Sequence, residues 1–243
     1  MSPAYQGIGN QHFLYDPTII EKITPDHFDF KAWHDTGKVL GEARGRGRVL
    51  FVRDESYQFV LRHYRRGGFI SKFFTDHYIW QGLQQTRAWA EWHLLKLMFE
   101  KGLPVPKPVA ARVIKHGRTY TADLLTLTLP DCQSLAEHFQ KETCTKEMLF
   151  EAGQTIHHFH HVGIYHADLN AHNILINQTG QIYLLDFDRG RKKQGQAWKK
   201  QNLSRLHRSF CKLARENKSA TSFEKKWETL LQGYEKDQNS QAL

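Results

Sequence analysis

Cysteine is scarce in this chain: Cys132, Cys144 and Cys211 are the only three in 243 residues, and no two are spaced as C-x-x-C. An odd count at such spacing excludes a disulfide-stapled miniprotein and fits thiols kept reduced, so the sequons at Asn177, Asn202 and Asn217 carry no weight. Long apolar runs are missing too. None approaches the roughly 18 to 20 residues that a bilayer-spanning helix needs, which excludes a transmembrane protein. The stretch from Met1 to Glu21 contains no Lys or Arg and no apolar core, so it lacks the marks of a signal peptide, and the expected compartment is the cytosol. No internal repeat or low-complexity block is present. Acidic residues are the minority, 25 against 34 Lys plus Arg, giving a formal charge of +9 with 15 His residues to add to it as pH falls. An anionic partner is expected: nucleic acid, phospholipid or a phosphorylated substrate.

What is present is enough chain for one compact unit or two small lobes. Periodicity divides it. Val49–Val52 and Gln58–Leu61 are short β-type runs either side of a turn signal, with the glycine-rich stretch Gly37–Gly47 read as a loop in front of them. Ala88, Trp92, Leu95 and Met98 recur at helical spacing from about Gln84 to Glu100, and Gly102 and Pro104 end that helix. The proline-rich segment from Leu103 to Pro108 must be extended. Two further β-type runs follow, Ala110–Ile114 and Tyr120–Leu129. Beyond Pro130 the pattern turns helical. Ser134–Phe139 reads as a short helix, Thr145–Val162 as a longer one stopped by Gly163, and Leu203, Leu206, Phe210 and Leu213 mark a third. Phe223, Trp227, Leu230 and Leu231 mark a last one, with a polar tail expected to fray after Tyr234. The expected fold class is α+β, with a strand-rich part over 1–129 and a helical part over 130–243. Phe13, Tyr15, Phe28, Phe30 and Trp33 indicate that residues 1–36 pack on the first part; Trp80, Trp89 and Trp92 are read as core.

The most specific stretch is His166-Ala167-Asp168-Leu169-Asn170-Ala171-His172-Asn173, followed by the apolar runs Ile174–Ile176 and Tyr183–Leu185 and then Asp186-Phe187-Asp188. A carboxylate five residues before an amide, then a small hairpin and a second carboxylate, presents hard oxygen ligands at one end of that hairpin. Mg²⁺ requires such oxygens, and phosphoryl transfer requires a carboxylate to orient the acceptor hydroxyl.

This arrangement resembles the catalytic and metal-binding loops of the protein-kinase-like superfamily, H-x-D-x-x-x-x-N and D-F-G. The resemblance implies a two-lobed kinase-like fold and extends upstream. The segment from Gly41 to Val49 stands where the phosphate-covering glycine loop stands, with Gly45 and Gly47 over the phosphates. Arg62 falls at the place of the strand-borne lysine, and Glu91 at that of its helical ion-pair partner. Asp168 is implied as the residue that orients the acceptor hydroxyl, Asn173 and Asp186 as Mg²⁺ ligands, and the backbone near Thr128–Asp131 as the adenine contact.

The departures narrow the substrate. Ala167 replaces the arginine of H-R-D, no A-P-E segment follows Asp186, and Asn170 stands where Ser/Thr kinases carry a lysine, all of which argue against a protein substrate. Asp188 replaces the glycine of D-F-G. The segments 61–68, 87–91, 102–110 and 185–190 together resemble the bacterial 3-deoxy-D-manno-octulosonic acid (Kdo) kinase family of lipopolysaccharide kinases. That resemblance implies ATP and Mg²⁺ as cofactors and the 4-hydroxyl of Kdo on the lipid A precursor as acceptor. It also implies a peripheral place on the cytoplasmic side of the inner membrane.

Two basic blocks give the charge an address. From Arg44 to Lys72 there are eight Lys/Arg against two acids, and from Arg189 to Lys218 eleven against one. The second block is also amphipathic, as expected of contact with an anionic membrane surface. No nucleic acid and no obligate protein partner are expected. The His cluster His157, His158, His160 and His161 lacks a metalloprotease motif and is read as helix packing, not zinc binding. A heptose or aminoglycoside-type kinase, and a non-catalytic kinase-like protein that binds membrane or nucleic acid, remain as alternatives, the latter because Arg62 replaces the lysine.

Overall fold

Residues 2–44, 48–65, 76–216 and 220–240 are described in a computed structural model. They divide into two compact units, one comprising Met1–Leu97 and Pro106–Thr128, the other Met98–Val105 and Leu129–Leu243. The class is α+β, as expected, with an antiparallel sheet in the first unit and helices dominating the second.

The sheet strands are β1 (Ala4–Ile8), β2 (Gln11–Tyr15), β3 (Val39–Arg44), β4 (Arg48–Arg53), β5 (Gln58–His63), β6 (Tyr78–Ile79), β7 (Pro108–His116) and β8 (Thr119–Leu127). Their order is β1-β2-β7-β8-β5-β4-β3, with β6 paired to the first residues of β8. Strand β8 is central and buried over seven consecutive residues, so polar Thr121, Asp123 and Thr126 are enclosed along with its apolar side chains and no exposed face alternates with a buried one. Between β2 and β3 the chain makes a 3-10 turn (Pro25–Phe28) and helix α1 (Phe30–Asp35). Ile20, Ile23, Phe28 and Trp33 from this stretch join Phe13, Leu50, Phe59, Leu61 and Leu125 in one core cluster. The segment 1–36 therefore packs on the first unit, as its aromatics indicate. It also supplies two strands that the alternation-poor sequence of Ala4–Tyr15 does not announce; β2 finds its partner in β7, about a hundred residues on, through the register Phe13↔Arg112. The glycine-rich loop expected before the β4–β5 hairpin is largely strand: β3 pairs with β4 from Arg44↔Arg48 back to Val39↔Val52, and Gly41 sits beside a bulge. Gly45 and Gly47 lie outside the described residues, as do Arg46, Arg66, Lys72 and Lys218 of the basic blocks.

Helix α2 (Arg87–Glu100) begins three residues later than its apolar spacing predicts, because Leu83–Gln85 forms a 3-10 turn. Trp89 and Trp92 are core residues. A buried carboxylate on β8 shows how the sheet carries charge inside it. Asp123 accepts from Arg112 Nε at 2.9 Å and pairs with His63 Nδ1 at 2.7 Å. Burial alone would lower the pKa of His63, but its hydrogen bonds and charge contacts with Asp123 and Asp76 outweigh that and raise it.

The second unit contains β9 (Gln133–Ser134), α3 (Leu135–Gln140), α4 (Lys146–His161), β10 (Ile164–Tyr165), β11 (Ile174–Ile176), β12 (Ile182–Leu184), β13 (Arg191–Lys192), α5 (Ala197–Glu216) and α6 (Ala220–Ser240). Caps set the helix starts: Ser134 and Glu137 form a reciprocal capping box for α3, and the Thr145 side chain accepts from Met148 N at the start of α4. The tail expected to fray after Tyr234 instead continues α6 to Ser240, since Glu235–Ser240 holds no Pro or Gly to stop it.

Helices α4 and α6 meet backbone to backbone. A Cβ at Gly153 would lie 2.0 Å from Leu230 O, and one at Gly233 2.0 Å from Phe150 O. Alanine would gain about 1 kcal/mol of helix propensity at either position. The obstructing atoms are main chain and cannot rotate away, so overpacking outweighs that gain. Gly153→Ala is expected to lose about 1–3 kcal/mol of stability in urea unfolding; an unchanged midpoint would show that the helices do not approach so closely.

Candidate active site

In the first unit, β5 turns Leu61 into the core and Arg62 to the opposite side. Helix α2 places Glu91 inward between Ala88 and Leu95, at 3% exposure. Arg62 Nη2 and Glu91 Oε2 are 2.5 Å apart, so the ion pair that the resemblance implies is formed. Tyr64 completes it: its hydroxyl donates to Glu91 Oε2 at 2.5 Å and accepts from Arg62 Nη2 at 2.9 Å, and the guanidinium carbon lies 4.7 Å from its ring centroid. Glu91 is thereby satisfied in a desolvated place where a lone carboxylate would be costly. Tyr64 was detectable only as the residue two positions after Arg62, on the same strand face by alternation.

In the second unit, the stretch from His166 to Asn173 forms a loop after β10 whose polar groups bond to one another. Asn173 Nδ2 and Asn170 Nδ2 both donate to Asp168 O, at 3.0 and 2.8 Å, while Asn170 Oδ1 accepts from His172 N and caps the 3-10 turn Ala171–Asn173. The Asp168 carboxylate is left at 38% exposure, with Oδ1 3.1 Å from Arg205 Nη1. His166 is buried. Its Nδ1 accepts from Asp168 N at 3.1 Å and its Nε2 donates to Leu185 O at 2.7 Å, which only the neutral ring can do. Burial lowers its pKa, in keeping with that tautomer. One imidazole thus ties the Asp168 loop to the residue preceding Asp186.

Asp186 follows the β11–β12 hairpin, whose register is Ile174↔Leu184, and Leu185 N donates to Asn173 O at 2.9 Å. The backbone of Asp186 is left-handed at φ 59°, as is that of Arg189 at φ 60°. Non-glycine residues hold that region only when neighbours over-determine them. Here Phe187 does so: it is fully buried, 5.7 Å from the Phe159 ring and 4.7 Å from His166, and its carbonyl accepts from Gly190 N at 2.7 Å. The structure thus joins Asp168, Asn173 and Asp186, which their spacing in the sequence had singled out, in one bonded loop system.

Spacing did not find the residues of α5 that hold this loop. Asn202, at 2% exposure, donates through Nδ2 to His166 O at 2.8 Å and accepts at Oδ1 from His166 N at 3.2 Å. His160 Nε2 also donates to that oxygen at 3.3 Å, and the Tyr234 hydroxyl donates to His160 Nδ1 at 2.8 Å. Burial drives the His160 pKa down to about 3 and pushes that of Tyr234 up to about 12, so both are neutral bonding groups. Ser209 Oγ accepts from Ala171 N at 3.2 Å. Asn202, Arg205 and Ser209 recur at helical spacing on one face of α5. That spacing was a legible signal, masked by the apolar stripe Leu206, Phe210 and Leu213 beside it. Of the histidine cluster, His160 serves the Asn202 network and His157 stacks on His161 at 6.3 Å. Among the described residues no group of three or more His, Cys, Asp or Glu is arranged to hold a metal ion by itself.

The charge around the site is positive. Lys200, Arg208, Lys212 and Arg215 are exposed along α5 together with Arg205. Lys193 Nζ lies 3.6 Å over the Tyr165 ring.

Residues 31–234 match the model of the lipopolysaccharide kinase (Kdo/WaaP) family. The chain is 40% identical over 233 residues to a "3-deoxy-D-manno-octulosonic acid kinase" of Photobacterium profundum, covering 95% of this chain and 97% of that one. It is 43% identical over 203 residues to the protein of the same name from Vibrio parahaemolyticus, covering 84% and 85%. With the Haemophilus influenzae (strain PittEE) protein of that name it shares 41% over 234 residues, covering 93% and 96%. A match that runs through both units, on a chain whose Arg62–Glu91 pair and Asp168–Asn173 loop are formed, means that this protein belongs to the lipopolysaccharide kinase (Kdo/WaaP) family.

Proposed function

We propose that this protein transfers the γ-phosphoryl group of ATP to the 4-hydroxyl of Kdo on the lipid A precursor, in assembly of the lipopolysaccharide inner core. The observation that carries the reading is the Asp168 loop: a half-exposed carboxylate whose own backbone is held by Asn170, Asn173 and His166, so that the side chain can turn to an incoming hydroxyl.

Each unit contributes its own groups. In the first, Arg62, oriented by Glu91 and Tyr64, pairs with ATP phosphates; a guanidinium can do so bidentately. The family resemblance assigns the covering of those phosphates to Gly45 and Gly47. In the second, Asp168 orients the acceptor hydroxyl and takes up its proton as the new bond forms. Asn173 and Asp186 suit Mg²⁺. Asn173 commits its amide nitrogen to Asp168 O, so the side-chain atom that would meet a metal is its oxygen, and Asp186 adds a carboxylate held by strained backbone. Two hard oxygens are what Mg²⁺ takes from protein when phosphates supply others. Bound there, the ion would neutralise charge on the transferring phosphates.

The same reading places the protein peripherally on the cytoplasmic face of the inner membrane. Among the described residues no helix is long and apolar enough to cross a membrane, and the exposed cations of α5 suit a surface of anionic lipid.

The test is mass spectrometry of Kdo-lipid A precursor after incubation with protein, ATP and Mg²⁺. A gain of one phosphate on the Kdo residue is expected. An unchanged precursor would overturn the reading, and phosphate added instead to a heptose or aminoglycoside would redirect it.

A further inference from the structure

On the reading just given, on which this inference rests, the acceptor is a sugar acid, and its carboxylate must be met by a cation wherever binding strips its water. The carboxylate and the 4-hydroxyl stand on ring carbons separated by a single methylene, so the protein groups that receive them have to be neighbours. Asp168 and Arg205 are neighbours, with 3.1 Å between Oδ1 and Nη1, and both side chains are partly open to solvent, at 38% and 43%.

Three features of the site single out Arg205. The loop position that carries a lysine in Ser/Thr kinases is Asn170, and its side chain is turned back on the main chain, donating to Asp168 O and accepting from His172 N. The helix that carries Arg205 is bonded to the loop on either side of it, by Asn202 to His166 and by Ser209 to Ala171, so the guanidinium is delivered to a set position. An ion pair this exposed contributes little to stability, so holding the fold together does not account for it. A guanidinium has five N–H donors in a planar fork, and its contact with Asp168 uses one nitrogen, Nη1.

We propose that Arg205 is the specificity-determining residue for the acceptor, binding the carboxylate of the sugar acid as a bidentate pair while Asp168 receives the hydroxyl. Without acceptor the guanidinium rests on Asp168; with acceptor it bridges the two carboxylates and fixes which hydroxyl faces Asp168. No covalent step is involved.

The experiment uses the full chain with two acceptors, Kdo-lipid A precursor and the same lipid with its Kdo carboxylate converted to the methyl ester. Wild-type protein is expected to prefer the acid by roughly 10- to 100-fold in kcat/KM, the range for hydrogen bonds to a charged group. R205A should lose that preference through a raised acceptor KM, treat acid and ester alike, and keep the wild-type KM for ATP and the wild-type Tm. R205K should regain part of the preference, since it restores charge without the fork. An R205A protein that still discriminates acid from ester would overturn the proposal. So would an equal fall in kcat on both acceptors with KM unchanged, which would make Arg205 a positioning residue for Asp168 alone. Wild-type inactivity on both lipids would overturn the phosphotransfer reading, and this assignment with it.

Discussion

Asp168→Asn is expected to lower kcat for phosphate transfer by roughly 10²- to 10⁴-fold, the range for loss of a positioned acid–base group, with the unfolding midpoint and the KM for ATP near their wild-type values. The expectation comes from how the loop is held. Its geometry depends on the main chain of Asp168: the carbonyl accepts from Asn170 and Asn173, and the N–H donates to His166. An asparagine keeps every one of those bonds and the side-chain volume. It loses the negative charge that pairs with Arg205 and the ability to take up the proton of the hydroxyl. Because the pair with Arg205 is exposed, its loss should cost no more than about 1 kcal/mol of stability. The measurement is steady-state kinetics on Kdo-lipid beside a thermal melt. A variant within tenfold of wild-type kcat would remove Asp168 from the proton-accepting role.

The largest expected effect on stability is that of Asn202→Ala. The Asn202 side chain serves the carbonyl and N–H of His166 and the Nε2–H of His160, all of them buried, and alanine leaves the three without partners. A buried polar group left unsatisfied costs about 1–3 kcal/mol. Some relaxation or entry of water will offset part of the sum, so a loss of about 3–5 kcal/mol is expected, against a total that for most domains is only about 5–15. Activity should fall with it even where the protein remains folded, since His166 precedes Asp168 by two residues and bonds to its N–H. Urea unfolding measures the first effect, and kcat at a temperature well below the melt the second. A loss under about 1 kcal/mol would mean that the Asn202 clamp is not made in solution. Asn202→Asp is a useful companion: it keeps the acceptor for His160 but replaces the donor to His166 O with a like-charged oxygen, so it should restore little.

Much of the chemistry was legible because it is local. Asp168, Asn173 and Asp186 lie within nineteen consecutive residues, joined by a hairpin whose two apolar runs are visible in the sequence, and closing so short a segment costs less chain entropy than closing a long one. The long helices were legible for a similar reason, since their apolar residues repeat within a turn or two. Boundaries slipped where local chemistry competes with periodicity, as in the 3-10 turn before α2, or where nothing stops a helix, as at the end of α6. Strands β1 and β2 were missed because their apolar residues neither alternate nor form a run long enough to mark a strand. They exist through β7, and pairing across that much chain leaves no mark within either segment.

The sequence by itself thus determined which residues could do chemistry and in what order, and through the α2, α4 and α5 stripes which faces would be buried. Only the tertiary structure decided which of them are brought together. Tyr64 joins the Arg62–Glu91 pair, Phe187 turns inward and holds Asp186 in a left-handed conformation, and Asn202, Arg205 and Ser209 come from α5 to the Asp168 loop from more than thirty residues away. The physical reason is range. Hydrogen-bonding periodicity and turn preference act over a few residues and leave a pattern there. A buried donor is satisfied by whatever acceptor packing brings within about 3 Å, and that choice is made by the whole fold.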